Sequence, residues 1–224
     1  MREYTRSFLL LAAGILTLGL GAGCKKSDSA SLNGLKRYPY ERLHVTYEYT
    51  GDVRGTEDLY VSGYGKYEAR YSKLDLLAGQ TIRSVDNAAI TRIGETYSID
   101  FTQNRGSHDH SSSIDSLYHL SESDIPSPQE YLESEMKKNF FKKVGTDIIA
   151  GKPATRWQQM DGDLIVWVWN SILLRKEINS AANTLDMTVK NIDSLWTVDT
   201  TKFAIPPGVT ITQAVHTPNA PSPN

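Results

Sequence analysis

His108-Asp109-His110, followed at a distance by His119, is the group of side chains in this sequence best suited to holding a metal. The pair sits in a run of glycine, serine and aspartate over residues 106–113 that reads as an exposed polar loop. Two imidazoles alone lack the third ligand and the outer hydrogen bonds that fix a metal site. Adventitious binding or none is the expectation, and a true site is the alternative. Serine, histidine and aspartate are all available, but no Gly-x-Ser-x-Gly elbow raises a serine as a nucleophile. Glycine loops of the Walker or dinucleotide type are absent as well. Asp161-Gly162-Asp163 has calcium-like residue types, yet a tight turn accounts for it. No catalytic residue, metal or cofactor is therefore expected. The reactive group that stands apart is the thiol of Cys24, the one cysteine in 224 residues.

Cys24 ends a distinctive segment. Arg2 and Arg6 precede an apolar run over residues 8–20, and Gly21, Ala22 and Gly23 lead into the cysteine. That order is a secretory signal peptide with a small-residue cleavage site. The run is too short to cross a ~30 Å hydrocarbon core, which takes about 20 helical residues. Leu20-Gly21-Ala22-Gly23-Cys24 resembles the lipobox of bacterial lipoproteins, with its leucine one place further from the cysteine than usual. The resemblance implies that residues 1–23 are removed and that the Cys24 thiol carries a diacylglyceryl group. Acyl chains such as palmitate would then hold the protein at a membrane, each buried CH₂ contributing about 0.8 kcal/mol. Lys25, in place of an aspartate, implies delivery to the outer membrane, facing the periplasm. An ordinary signal peptide followed by an incidental cysteine is the alternative.

Composition narrows the rest. With 39% hydrophobic and 22% charged residues the chain can bury a core, so it is not disordered overall. A net charge of −2 argues against a nucleic-acid partner, which needs a clustered basic face. If Cys24 is acylated no disulfide is possible, and packing alone must stabilise the fold. Residues 24–36 are small and polar and read as a flexible tether, residues 37–216 as one domain, and residues 217–224 as a disordered tail.

The domain reads mostly as strands. Leu43, Val45, Tyr47 and Tyr49 alternate onto one face. Gly63-Tyr64-Gly65 marks a hairpin between residues 55–60 and 66–71, and further strands are expected at 80–86, 88–93 and 96–101. After the polar loop at 104–113 comes the predicted helix. Ser127, Pro128 and Glu130 form a capping box, Leu132, Met136 and Phe140 recur every four residues, and Gly145 is placed to end the element. Strands then resume at 155–160, 164–170, 172–179 and 185–192, with 209–215 closing the sheet. The expected class is α+β: a curved antiparallel sheet, an incomplete β-barrel, wrapped around one main helix.

Leu164-Ile165-Val166-Trp167-Val168-Trp169 is apolar on both faces, unlike a strand with one wet side. Either a central strand covered on both sides or a functional apolar surface explains it. Gly55 to Tyr60, Gly63 to Ala69, Ile149 to Trp157, Val166 to Trp169 and Phe203 to Gly208 together resemble uncharacterised relatives of the outer-membrane lipoprotein carriers and receptors, the LolA/LolB-like fold. That resemblance implies an acyl-chain cavity between sheet and helix. Met136, Phe140, Val166 and Val168 are the expected lining, with Trp167 and Trp169 equally eligible. The expected function is a non-enzymatic, lipid-anchored envelope protein whose cargo is an acyl chain, lipid or lipoprotein. Its counterpart is a structural module with a packed core that presents loops to an envelope partner. The aromatic residues Tyr47, Tyr49, Tyr60 and Tyr71 fit a groove or ordinary sheet packing.

Overall fold

The computed structural model describes residues 35–110, 118, 124–160, 162–180 and 184–213. The signal peptide, Cys24, His119 and the 217–224 tail lie outside them. Among the described residues, β1 (Arg42–Gly51), β2 (Val53–Ser62), β3 (Tyr67–Ala78), β4 (Thr81–Arg92), β5 (Glu95–Asp100) and β6 (Arg105–His110) form a meander. A helix, α1 (Pro128–Lys138), leads into β7 (Phe141–Ile149), β8 (Lys152–Gln159), β9 (Leu164–Trp169), β10 (Ile172–Asn179) and β11 (Thr184–Asp193), and β12 (Thr210–Gln213) follows. All twelve join one open sheet in the order β12-β6-β5-β4-β3-β2-β1-β11-β10-β9-β8-β7. Neighbours are antiparallel except β12, which lies parallel to β6.

This overturns the expected α+β class. The sheet dominates and does not wrap around the helix; α1 has only 11 residues and lies over the β7–β9 end. The predicted helix stopped too late because its stripe crosses a real boundary. Asn139 caps the helix, Phe140 turns the chain at a φ of 60°, and Phe141 begins a strand. Residues 141–149 contain Val144, Thr146, Ile148 and Ile149, whose branched side chains favour a pleated strand. Gly145 is not a helix terminator but sits at the irregularity in the β7–β8 register. At the other end the capping box forms as read. Ser127 Oγ accepts from the Glu130 N–H at 3.2 Å, and the Ser127 N–H donates to Glu130 Oε2 at 2.8 Å. Ser127→Ala is expected to cost about 1 kcal/mol in urea denaturation, and Ser127→Asp to restore most of it.

Two further segments differ from expectation. The two strands placed at 80–86 and 88–93 are one twelve-residue strand, β4, paired with β3 along its full length. The polar loop at 104–113 contains β6, bonded to β5 on one side and β12 on the other. Backbone pairing on both edges stabilises it where apolar burial does not, which is why its pattern carries no strand signal.

The sheet has two differently covered faces. The front face carries Leu43, Val45, Tyr47 and Tyr49 of β1, and through the register Leu59, Val61, Val189, Met187 and Leu185. Helix α1 covers its far end, where Met136 packs with Phe141, Trp157, Leu164, Val166 and Val168. On the back face, Tyr60, Ala69, Ala88, Ile90 and Ile99 are covered by the chain after β11, through Trp196, Val198, Phe203 and Ile205. Strand β9 is thus covered on both sides: Val166 lies in the α1 cluster, while Trp167 is buried on the opposite face with Ala154. Leu35, read as part of the tether, is fully buried with Tyr118 and Tyr131. Among the described residues, no helix is long and apolar enough to cross a membrane.

Candidate functional site

The six residues expected to line an acyl cavity do not meet around one space. Met136, Val166 and Val168 touch one another in the α1 cluster. Trp167 faces the other way, donating its Nε1–H to Asp147 at 2.7 Å beneath the Arg175 guanidinium. Trp169 is half-buried near Tyr40, and Phe140 is 68% exposed at the helix–strand turn. The helix therefore sits directly on β9.

The open space lies elsewhere on the front face. A groove of about 680 Å³ runs over β3–β6 and β12, flanked by Arg70, Asn87, Ser98, Asp100, Arg105 and Thr212. That volume is within the ~300–1,000 Å³ usual for small-molecule sites. Its walls follow from the register: Arg70, Ala89, Ser98 and Ser107 stand across from one another on successive strands. Short polar side chains and alanine on these positions leave room that larger residues would fill. None of the six expected lining residues reaches it.

One end of the groove runs into a network of buried charges. Arg70 donates through Nε to Glu68 Oε1 and through Nη1 to Glu57 Oε1, both at 3.0 Å. Glu68 also accepts from the Tyr38 hydroxyl at 2.9 Å and pairs with Arg37 at 3.1 Å. Tyr49 donates to Glu57 at 3.0 Å. Burial works against the Glu68 carboxylate, yet Arg37 and Arg70 together hold it below the ordinary range. Lys176 enters the same network from β10, 3% exposed; burial pushes its ammonium down to about 8, with Glu57 partly offsetting this and Arg70 adding to it. The Tyr47 hydroxyl is buried in this region with no hydrogen-bond partner among the described residues.

These residues were missed from the sequence. A signal was present: Glu57 shares the face of Leu59 and Val61, and Glu68 and Arg70 share it on the next strand, so charge stands where the alternation calls for apolar groups. Opposite charges at i, i+2 on one strand are neighbours on one face, and this is the pattern to look for.

The histidines behave differently. His108 and His110 project from β6 on one side, and both contact the carboxylate of Glu95 on β5, His110 Nδ1 at 2.9 Å. They are strand residues held by a carboxylate, not loop residues. Among the described residues no group of three or more histidine, cysteine, aspartate or glutamate side chains is arranged to hold a metal.

No protein-family model and no curated protein matches the chain. Several solved structures are similar to it at low identity. An uncharacterized conserved protein from Thermus thermophilus is 7% identical with a TM-score of 0.48, covering 80% of this chain and 94% of its own. MucB is 12% identical with a TM-score of 0.40, over 78% of this chain and 60% of its own. LprF from Mycobacterium bovis is 10% identical with a TM-score of 0.32, over 73% of this chain and 90% of its own.

Proposed function

We propose that the protein is a non-enzymatic bacterial envelope lipoprotein, held at the outer membrane through an acylated Cys24, that binds a small amphiphilic cargo on the front face of its sheet. The observation that carries the cargo reading is the open groove of about 680 Å³ over β3–β6, on a face whose other half is packed core. The signal segment ending at Cys24 supports the anchor. The cargo classes remain an acyl chain, a lipid or the lipid moiety of a lipoprotein, but the site is the groove and not the α1–β9 contact.

Two measurements test this. Expressed in a Gram-negative host, the protein is expected in the membrane fraction with a mass increased by diacylglycerol, and Cys24→Ser is expected to abolish that mass. An unmodified mature cysteine would sink the anchor. Native mass spectrometry of residues 25–224 is expected to show a retained ligand that Ser98→Trp, which fills the groove, displaces. Ligand-free protein that also ignores added phospholipid and fatty acid would sink the cargo reading.

A further inference from the structure

Phe140 and Met160 are 68% and 69% exposed. Large apolar side chains exposed singly are ordinary, but these two are held together. The Met160 N–H donates to the Phe140 carbonyl at 2.9 Å, carrying the β7–β8 pairing one step beyond Phe141 and Gln159 and setting the two residues opposite each other. Phe140 also keeps a φ of 60°, where glycine sits without steric cost and a bulky side chain is an outlier. Phe141 beside it fills the α1 cluster, to which Phe140 does not belong. A use for the ring outside the fold accounts for an aromatic residue at so strained a turn.

The same turn is basic. Lys137 and Lys138 end α1, and Lys142 and Lys143 follow Phe141 in β7, all four exposed. Lys138 pairs with Glu135 at 2.7 Å, whereas no ion pair among the described residues engages Lys137, Lys142 or Lys143. Asp161 and Asp163 follow Met160 in the chain and reduce the positive charge of the turn. Against a net charge of −2 for the whole protein, the lysines still make this turn a local reversal of sign. Apolar side chains flanked by lysines match an anionic lipid surface: the ring and thioether enter the headgroup boundary, and the ammonium groups answer the lipid charge. β7 is also the last strand of the sheet, so no other strand stands between it and a bilayer.

The anchor brings that surface close. Leu35 is fully buried with Tyr118 and with Tyr131 of α1, and residues 25–34 separate it from Cys24. A chain of that length reaches at most about 40 Å. A helix rises about 1.5 Å per residue, so Phe140 lies roughly 14 Å along α1 from Tyr131. A bilayer holding the acyl chains of Cys24 is therefore within reach of the turn.

We infer that the α1–β7 turn, with Phe140 and Met160 at its tip, is a second membrane contact that docks on an anionic lipid surface and sets how the anchored domain faces the bilayer. This docking deepens the anchor reading and rests on it for the choice of surface.

Vesicle flotation of residues 25–224, which contain every described element and lack Cys24, tests the contact without the anchor. Vesicles of phosphatidylglycerol and phosphatidylcholine in equal parts are expected to bind at least about tenfold more tightly than phosphatidylcholine alone, an advantage that shrinks as salt is raised. Lys142→Gln combined with Lys143→Gln is expected to weaken binding about tenfold or more. Phe140→Gly is expected to weaken it by about as much, while stability in urea stays level or rises because the φ of 60° is relieved. A variant that merely failed to fold could not do both. Asp163→Asn is expected to strengthen binding. Ile148→Ser is the control, since Ile148 is 69% exposed at the far end of β7; it is expected to change binding by less than about twofold. Ser98→Trp, which fills the groove, is expected to leave vesicle binding unchanged, separating docking from cargo. Equal binding to the two vesicle types, binding untouched by Phe140→Gly, or binding abolished by Ser98→Trp overturns the docking surface. A dimer that Phe140→Gly dissolves, with no vesicle binding, would assign the turn to a second copy and overturn it as well. Diacylated Cys24 without vesicle binding would remove the docking surface alone. Vesicle binding by a protein whose mature Cys24 is unmodified would remove the anchor alone.

Discussion

Glu57→Ala is expected to destabilise the protein by about 3–5 kcal/mol, the range for breaking a buried ion pair by removing one partner. Glu57 is 2% exposed and accepts from Arg70, from the Tyr49 hydroxyl and, at 3.4 Å, from Ser72. Its removal leaves Arg70 with one carboxylate and takes away the charge that partly offsets the burial of Lys176. The phenol of Tyr49 also loses its acceptor. Urea denaturation reads the loss, and Glu57→Ala combined with Lys176→Met is expected to recover a substantial part of it. A loss below about 1 kcal/mol, the value for an exposed pair, would show that the network is hydrated and not buried. Lys176 alone gives a signed pH effect. Its folded value, about 8, lies below the 10.5 of the free side chain, so between them the unfolded chain binds more protons. Stability contributed by this group therefore rises from pH 8 to 10.5 and is lowest, and flat, below 8.

Gly55→Ala is expected to be comparably damaging for a geometric reason. Gly55 lies inside β2, opposite Tyr49 on one side and Leu74 on the other, with a φ of 134°. A Cβ built there falls 2.0 Å from the Lys73 carbonyl oxygen, a backbone atom held in the β2–β3 ladder. Relief requires shifting β3, which carries Arg70 and the groove wall. Strained backbone alone costs roughly 1–3 kcal/mol, and the displaced ladder adds to it, so a total of at least about 3 kcal/mol is expected. Gly151→Ala is the control: its φ is 72°, and nothing lies within 4 Å of its would-be Cβ. That change is expected to cost only the roughly 1–2 kcal/mol of a left-handed residue. Equal losses at the two positions would remove the collision with β3 as the cause.

The sheet was legible in the sequence where alternation and turn chemistry agreed. Leu43 to Tyr49, the Gly63-Tyr64-Gly65 turn and the Gly162 hairpin joining β8 to β9 all follow from apolar period and glycine placement. The helix start was legible because capping is local, whereas its end was not. Phe140 and Phe141 continue the i, i+4 stripe into a turn and a strand, and only pairing with β8 decides between them. β6 was illegible because its strand character comes from backbone pairing, with β5 just before it and with β12 far along the chain, and not from an apolar alternation. The groove was hidden for a related reason. Ala89, Ser98 and Ser107 are unremarkable one at a time, and they form a floor only once three strands are in register. The charges at Glu57, Glu68 and Arg70 look like solvent-facing residues until the face they share with Leu59 and Val61 is known.

The strand order has a consequence for how the chain folds as it is made. β1–β6 and β7–β11 are two local meanders, and the single seam that joins them is β1 against β11, where Tyr47 meets Val189. Hairpin neighbours close quickly, but this seam must bring together segments separated by most of the domain, so it sets the slow step of folding. Until residue 193 has emerged, one edge of β1 stays open beside Val45, Tyr47 and Tyr49, an aromatic-rich template for pairing with another chain. Chains truncated before β11 is complete should accumulate as aggregates, while the full chain refolds. A holding chaperone that shields this edge before β11 pairs would act there, on a surface the finished protein no longer shows.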